Sequence, residues 1–188
     1  MSTPPSDPIL LLGDPRLRIV CAPVADLRDP VFRNRAARLQ AALARFRAEH
    51  GFGRAIAAPQ IGIPSRFVAM DLGSGPMLLV NPEITWTSEE TFTMWDDCMC
   101  FPWMLVRVRR HRSISVRFAD GEGHLHEWPR LDPATSELLQ HELDHLDGIL
   151  AIDRALDREA IVSRAVFEAD PGRFRSQVDY VVDSKSTE

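Results

Sequence analysis

The chain has 188 residues, which predicts a single domain over 1–188 that is large enough to bury a hydrophobic core. Hydrophobic residues make up 45% of the sequence and charged residues 26%, and these shares exclude a disordered or fibrous protein. The net charge of −5 argues against nucleic acid as a partner, and no apolar stretch is long enough to span a membrane.

The N-terminal region is predicted to be a surface segment followed by a helix. Residues 1–28 contain five prolines and only short apolar runs, a pattern that favours a chain wrapping over a core. Asp29-Pro30 then combines a preferred N-cap residue with proline at the first helical position. Apolar residues recur every three or four positions up to Phe46, and Gly51 stands where such a helix would end.

The middle of the chain has the pattern of β-strands. Four β-rich runs are predicted strands, at Arg66–Leu72, Met77–Thr87, Leu105–Arg110 and Ser113–Phe118. The Asp-Gly-Glu-Gly sequence at 120–123 is a turn signal. It predicts a hairpin between the last of these strands and a strand at His124–Trp128.

Two further helices are predicted after this hairpin. Asp132-Pro133 repeats the combination of cap and proline, and the helix that it begins is expected to end at Gly148. An amphipathic helix is predicted from near Leu156 to Glu168, closed off by Pro171-Gly172.

The order of these elements predicts the fold class. Strands grouped between helices favour an α+β fold, with antiparallel β-sheets around a central helix that carries a His-Glu-x-x-His sequence, an N-terminal helix and a C-terminal helix. Residues 1–8 and 176–188 are expected to be flexible or peripheral. Three cysteines do not make a disulfide framework and the N-terminus has no signal-peptide pattern, so a cytoplasmic enzyme is expected.

A metal site is predicted on the second helix. His141 and His145 lie one helical turn apart on one face, so both imidazoles can bind one ion. Glu142 is rotated from His141 by about 100°, a position from which it can move protons for a bound water. The alternative is an exposed helix that carries two unrelated histidines. The rarity of this sequence in a chain with six histidines favours the metal site.

A catalytic metal of this kind needs a third protein ligand. Cys98 and Cys100 are the best candidates, because thiolates bind divalent ions strongly and these two lie among acidic and aromatic residues. Spacing alone does not choose between them. Cys21 stands apart and is expected to be a packed thiol.

Three segments together resemble the peptide deformylase family. Gly53–Gln60 is similar to the family's Gly-x-Gly-x-Ala-Ala-x-Gln motif, and Asp96–Cys100 to its Glu-Gly-Cys-Leu-Ser motif. Gln140–Gly148 matches the family's Gln-His-Glu-x-Asp-His-Leu-x-Gly motif in full. Gly13–Arg18 also resembles the family's opening segment, so the resemblance covers most of residues 9–155.

The resemblance implies a metal-dependent hydrolase that removes the N-formyl group from the N-terminal formyl-methionine of nascent peptides and releases formate. It implies one divalent ion, Fe²⁺ with Zn²⁺ or Ni²⁺ as alternatives, held by Cys98, His141 and His145. Cys100 stands where the family has serine, so the resemblance does not make it a ligand. Glu142 would be the general acid and base.

The resemblance also assigns groups that contact the substrate. The Gln60 side-chain amide and the Met99 backbone N–H would donate to the developing oxyanion. The residues implied to bind the peptide are Gly53, Arg54, Ala55, Glu137 and Leu138.

Several positions depart from the family pattern. Ala55 replaces a glycine on the segment that pairs with the peptide, and Asp97 replaces the glycine before the ligand cysteine. Asp96 is one methylene shorter than the family's glutamate. By resemblance its partner is Arg110, with Arg109 as the less favoured alternative.

Arg54 and Glu137 stand where the family has apolar residues that line the pocket for the methionine side chain. Two charges in an apolar pocket are costly unless they pair. Our hypothesis is that they form an ion pair that polarises the pocket and weakens the preference for formyl-methionine. The alternative is that both side chains extend to solvent.

The partners expected from the sequence are limited to a formylated peptide. Some family members contact the ribosome through a basic C-terminal helix, but residues 157–188 carry five basic and seven acidic side chains, which argues against that contact. Three other functions remain open. These are a related metal amidase that acts on another formyl or acyl amide, a zinc endopeptidase, and a non-catalytic binding protein that keeps the fold.

Overall fold

The computed structural model describes residues 8–182, which form four helices and eight strands. The helices are α1 (Pro30–His50), α2 (Pro133–Leu146), α3 (Arg164–Ala169) and α4 (Pro171–Arg175). The strands are β1 (Ala55–Ala57), β2 (Phe67–Met70), β3 (Met77–Thr87), β4 (Thr91–Asp97), β5 (Met104–His111), β6 (Ile114–Ala119), β7 (Leu125–Trp128) and β8 (Ile161–Ser163). None of these helices is both long and apolar enough to cross a membrane.

The strands form two antiparallel sheets. One sheet has five strands in the order β1-β2-β3-β6-β7, and the other has three in the order β4-β5-β8. The predicted α+β class with antiparallel sheets is therefore confirmed. Among the described strands, β1 lies at one edge of the five-stranded sheet and pairs only with β2.

The five-stranded sheet is packed against a helix on each face. Along β2, Phe67 and Ala69 belong to the hydrophobic cluster that includes α1, whereas Val68 and Met70 belong to the cluster that includes α2. Side chains of a strand alternate between the two faces of the sheet. Since a helix covers each face, all four residues are buried.

Local signals fix both long helices where the sequence predicts them. The Asp29 side chain accepts a hydrogen bond from the Val31 N–H, and Gly51 closes α1 with a φ of 75°. At α2, the Asp132 side chain accepts from the N–H groups of Ala134 and Thr135.

α2 contacts both sheets, through β1 of one and β5 of the other. Ten of its 14 residues are buried. Six of these are polar: Ser136, Glu137, Gln140, His141, Glu142 and His145. Buried polar groups need partners. This helix therefore brings a set of buried polar side chains to the space between the sheets.

The predicted C-terminal helix from Leu156 to Glu168 is wrong over its first half. Ile161–Ser163 instead forms β8, which pairs antiparallel with the start of β5. α3 begins only at Arg164, and Pro171-Gly172 begins α4 rather than closing a helix. Pairing with the edge of β5 outweighs the helical spacing of a short segment.

Besides β8, two strands are absent from the predicted set. β4 pairs with β5 along its whole length, from Thr91 opposite His111 to Asp97 opposite Leu105. β1 has only three residues, too few for a pattern to be visible. Both strands border the candidate site.

The chain ends cross the surface of this core. The N-terminal segment runs past the two sheets as predicted, and its Leu10 and Leu12 N–H groups donate to the carbonyls of Gln60 and Cys100. Toward the C-terminus, the backbone of Asp179 and Tyr180 donates to the carbonyl of Thr93 on β4. Residues 1–7 and 183–188 lie outside the described residues, so the flexibility expected of 1–8 and 176–188 stays a prediction.

Candidate metal centre

The structure brings the three predicted ligands together in the space between the sheets. Cys98 directly follows β4, and His141 and His145 lie on the face of α2 that is turned toward it. The Cys98 Sγ lies 3.3 Å from the His145 Nε2, which lies 3.2 Å from the His141 Nε2. All three side chains are buried.

These separations fit a metal ion. Sulfur and nitrogen ligands at tetrahedral angles around an ion such as Zn²⁺ lie about 3.3–3.8 Å apart. Two imidazole nitrogens and a thiol also form a donor set that suits borderline divalent ions. The residues present therefore fit the metal that the family resemblance implies.

A network of charged groups holds His141 in place. The Asp96 Oδ2 lies 3.0 Å from the His141 Nδ1, which leaves the Nε2 of that ring facing His145. Arg110 donates to the same Asp96 oxygen at 3.0 Å and to Asp144 at 2.5 Å. The predicted pairing of Asp96 with Arg110 is confirmed, and a carboxylate behind a histidine is the usual support of a metal ligand.

The electrostatics of the two histidines differ. Burial lowers the pKa of His141, but the Asp96 carboxylate outweighs it and raises this pKa to about 9. Burial and the charge of His141 together hold the pKa of His145 well below its usual value. Burial opposes ionisation of Asp96, yet His141 and Arg110 hold its pKa well below its usual range.

Glu142 has an unused carboxylate oxygen beside this cluster. Its Oε2 is buried and has no hydrogen-bond partner among the described residues. Burial raises the pKa of Glu142 to about 7, although the charge of His141 opposes the shift. A carboxyl group with a pKa near neutrality can both accept and release a proton at working pH.

The Gln60 amide is fixed in orientation by the backbone. Its Oε1 accepts a hydrogen bond from the Ala57 N–H at 2.7 Å, so the Nε2 points the other way. The Nε2 lies 3.9 Å from the Cys98 Sγ and 3.5 Å from the Cys100 Sγ. This amide is therefore a preset donor next to the predicted ligands.

A second thiol lies at the same place. Ligand atoms of Cys98, Cys100 and His145 all lie within 4.8 Å of one another. Spacing left the choice between the two cysteines open, and the structure brings both to the cluster. The two cysteines are separated by one residue, but no local pattern in the sequence shows that both side chains lie next to His145.

A cavity of about 540 Å³ opens beside the cluster. His141, Glu142, Cys98 and Gln60 line this cavity, whereas His145 is not among its lining residues. Met99 also lines it. So do all the residues predicted to bind the peptide, which are Gly53, Arg54, Ala55, Glu137 and Leu138.

Arg54 and Glu137, two of the charged residues that line this cavity, form the predicted ion pair. The Arg54 guanidinium donates to the Glu137 Oε1, and its second nitrogen donates to the Ala134 carbonyl at 3.0 Å. The Glu137 side chain is only 3% exposed and that of Arg54 is 21% exposed. Burial raises the pKa of Glu137 to about 7 against the attraction of Arg54. The alternative, in which both side chains extend to solvent, is wrong for Glu137.

Close packing explains the glycine at the cavity wall. Gly53 has a φ of 119°, and a Cβ there would lie 2.8 Å from the Met99 Cε and 3.1 Å from Phe46. A side chain at Gly53 would collide with the Met99 side chain. Gly53 thus sets the position of the residue that follows Cys98.

Sequence reasoning missed one wall of the cavity. Phe167, Val178 and Tyr180, which follow β8, line it. Phe167 lies in the part of the predicted helix that is helical, and Val178 and Tyr180 lie in the segment expected to be flexible or peripheral, so no local pattern indicates this wall. The contact of Asp96 with His141 was also missed, because two residues 45 positions apart give no local pattern.

Comparisons with known proteins agree with this geometry. A model of the polypeptide deformylase family matches residues 6–160. Peptide deformylase from Thermotoga neapolitana is 33% identical over 156 residues, which are 83% of this chain and 91% of that protein.

Solved structures show the same fold. The crystal structure of peptide deformylase from Thermotoga maritima is 33% identical with a TM-score of 0.72, and the match covers 81% of this chain and 99% of that one. A peptide deformylase from Synechococcus elongatus, solved in complex with actinonin, is 25% identical with a TM-score of 0.73. That match covers 98% of this chain and 91% of the other.

Proposed function

The chain belongs to the peptide deformylase family and is a hydrolase that acts on N-formyl peptides, and we propose that it does so with a divalent ion held by Cys98, His141 and His145. The observation that carries this proposal is that the His145 Nε2 lies 3.3 Å from the Cys98 Sγ and 3.2 Å from the His141 Nε2. By family resemblance the ion is Fe²⁺, and the same donor set accepts Zn²⁺ or Ni²⁺.

Each neighbouring side chain has a proposed role in cleavage of the formyl amide. When bound, a divalent ion makes hydroxide available near neutral pH. Glu142 holds a proton on its carboxylate and passes it to the amine nitrogen that leaves as the C–N bond breaks. The Gln60 Nε2 and the Met99 N–H donate to the oxygen of the formyl group as negative charge develops there.

The peptide is proposed to lie along the free edge of β1. An edge strand offers unpaired backbone groups to an extended chain, and Gly53–Ala55 borders the cavity. Its first side chain then points toward Leu138 and the Arg54–Glu137 pair. The products are formate and a peptide with a free amino group. This reaction is a step of protein biosynthesis.

A second candidate is a related metal amidase with another formyl or acyl substrate. The observation that favours it is the buried ion pair in the wall of the cavity, where formyl-methionine would bring an apolar side chain. A zinc endopeptidase has no comparable support, because the third ligand candidate is Cys98 and not a His or Glu downstream of the His-Glu-x-x-His sequence. A non-catalytic binding protein has none either, because the buried Glu142 and the oriented Gln60 amide fit catalysis.

The test measures bound metal and formate release together. Anaerobically prepared Fe²⁺ protein is assayed with formyl-Met-Ala-Ser and with formyl peptides that begin with other residues. We expect Cys98→Ala, His141→Ala and His145→Ala to lose both metal and activity. His124→Ala is the matched control, since the His124 side chain is 69% exposed on the hairpin turn. We expect this variant to keep both metal and activity. Full activity without bound metal would refute the proposal.

A further inference from the structure

Two thiols, not one, reach the candidate metal centre. The Cys98 Sγ, the Cys100 Sγ and a ring nitrogen of His145 lie within 4.8 Å of one another. The Cys100 N–H also donates to the Cys98 Sγ at 3.4 Å, which draws the two residues into one tight turn. Cys100 is fully buried.

We propose that Cys100 is a fourth protein ligand of the ion, next to Cys98, His141 and His145. This inference rests on the proposed function, since it concerns the same ion. Its ligand set of two thiolates and two imidazoles is one that holds Zn²⁺ with no position left for water. Cys100 therefore competes with the water that hydrolysis needs.

The position of Gln60 supports an exchange of partners at Cys100. The Gln60 Nε2 donates to the Cys100 Sγ at 3.5 Å, and its own oxygen is held by the Ala57 N–H. A sulfur released from the ion thus finds a hydrogen-bond donor already aimed at it. The amide nitrogen carries two N–H donors, so one can hold the released sulfur while the other donates to the substrate.

Ligation by Cys100 has a defined proton balance. The thiol must become a thiolate to bind the ion, so its proton passes to solvent as the S–metal bond forms. Metal binding by the wild-type protein then releases one proton more than binding by Cys100→Ser. When the sulfur leaves the ion and regains its thiol form, the proton returns from solvent.

The first experiment counts thiolates around Co²⁺ by absorption spectroscopy. Thiolate-to-cobalt charge-transfer bands in the near ultraviolet grow with the number of bound sulfurs. We expect the Cys100→Ser protein to show about half the wild-type intensity, as one of two thiolates is lost. Cys21→Ser is the matched control, because it removes a buried thiol outside the cluster and leaves the spectrum unchanged. Equal intensities in wild type and Cys100→Ser would overturn the inference.

The second experiment needs no variant, so it stands even if a substitution prevents folding. X-ray absorption of the Zn²⁺-loaded wild-type protein counts sulfur and nitrogen neighbours directly. Two sulfurs support Cys100 as a ligand, and one sulfur overturns it while leaving the proposed function intact. A wild-type protein that binds neither Zn²⁺ nor Co²⁺ contradicts the proposed function itself.

Discussion

Glu142 has a buried polar atom without a partner among the described residues, as His145 has at its Nδ1. A buried carboxylate oxygen without a partner costs free energy, and here it faces the cavity next to His141. Such a group is retained where a substrate or a water completes it. Its pKa near 7 suits proton transfer in both directions.

We therefore expect Glu142→Gln to lower kcat for formate release by about 10²–10⁴-fold. Metal content should stay at the wild-type level, because glutamine is nearly isosteric and the proposed ligands are untouched. Steady-state kinetics and elemental analysis of the same sample check both statements. Glu159→Gln, a change at a residue outside the cavity lining, serves as the control. A Glu142→Gln enzyme with wild-type kcat would remove Glu142 from the mechanism.

The Arg54–Glu137 pair makes a prediction on stability. Removing Arg54 alone leaves Glu137 buried without its partner, whereas removing both leaves an apolar wall. We expect Arg54→Ile to cost about 3–5 kcal/mol at pH 8 and the Arg54→Ile/Glu137→Ile double variant to cost much less. The cost of Arg54→Ile should shrink toward pH 5.5, because Glu137 becomes protonated there. Urea unfolding at the two pH values measures these differences.

The same double variant tests specificity. An apolar wall should accept a methionine side chain better, so kcat/KM for formyl-Met-Ala-Ser should rise relative to peptides with a polar first residue. Assays of wild type and double variant on both peptide classes give the ratio. An unchanged ratio would show that the ion pair does not control substrate choice.

Among the elements, those with strong local signals are the ones that the sequence predicts. α1 and α2 each begin at an Asp-Pro pair whose aspartate caps the first turn, and β3 spans Met77–Thr87 as predicted. β8 and the wrongly predicted helix differ for a physical reason. Ile161–Ser163 is a strand only because the edge of β5 is there to pair with it.

The site divides in the same way. The His-Glu-x-x-His spacing indicates His141, Glu142 and His145, because helix geometry is local. The family resemblance supplies Cys98 and Gln60. The residue pattern offers Cys98 and Cys100 alike as the third ligand, whereas the resemblance favours Cys98 alone. Neither source indicates that Asp96 supports His141, since that contact depends on how β4 docks against α2.

Gly148, just after α2, packs against the backbone of the N-terminal segment, and a substitution can test how tightly the two fit. It has a φ of 71°, and an added Cβ would lie 2.6 Å from the carbonyl oxygen of Arg18. We expect Gly148→Ala to destabilise the fold by about 2–5 kcal/mol, through backbone strain and displacement of Arg18.

Gly123→Ala is the matched control for this change. Gly123 also has a positive φ, 94°, but an added Cβ would meet no atom within 4 Å. It should cost only the backbone strain, about 1–3 kcal/mol. Denaturant unfolding of both variants separates strain from contact. Equal costs would mean that the N-terminal segment moves aside freely at Arg18.

At the scale of the whole molecule, the candidate site joins the two sheets. Cys98 follows a strand of one sheet, Gln60 follows the edge strand of the other, and α2 lies against both. An ion bound by Cys98 and α2 therefore links parts of the chain that are far apart in sequence. Ligands that bind only the folded state stabilise it.

The stability of the metal-free protein should depend on pH through His141. Its pKa is about 9 in the folded protein and near 6.5 in an unfolded chain, so the folded state binds the proton more tightly. The resulting stabilisation is complete below about pH 6.5 and is lost as the pH rises through 9, at up to about 1.4 kcal/mol per pH unit. Glu137 and Glu142, with pKa values of about 7, act in the same direction between pH 4.5 and 7.

Thermal unfolding with and without a chelator, from pH 7 to 9, tests this linkage. We expect the chelated protein to lose stability across that range, while the loaded protein does not, because an ion in place of the His141 proton removes the titration. The gap in Tm between the two should therefore widen with pH. In Asp96→Asn the partner that raises the His141 pKa is gone, so the metal-free decline should become shallower. An equal Tm with and without chelator at every pH would contradict a bound ion. A difference in Tm that stays constant from pH 7 to 9 would contradict the protonation of His141 in the metal-free protein.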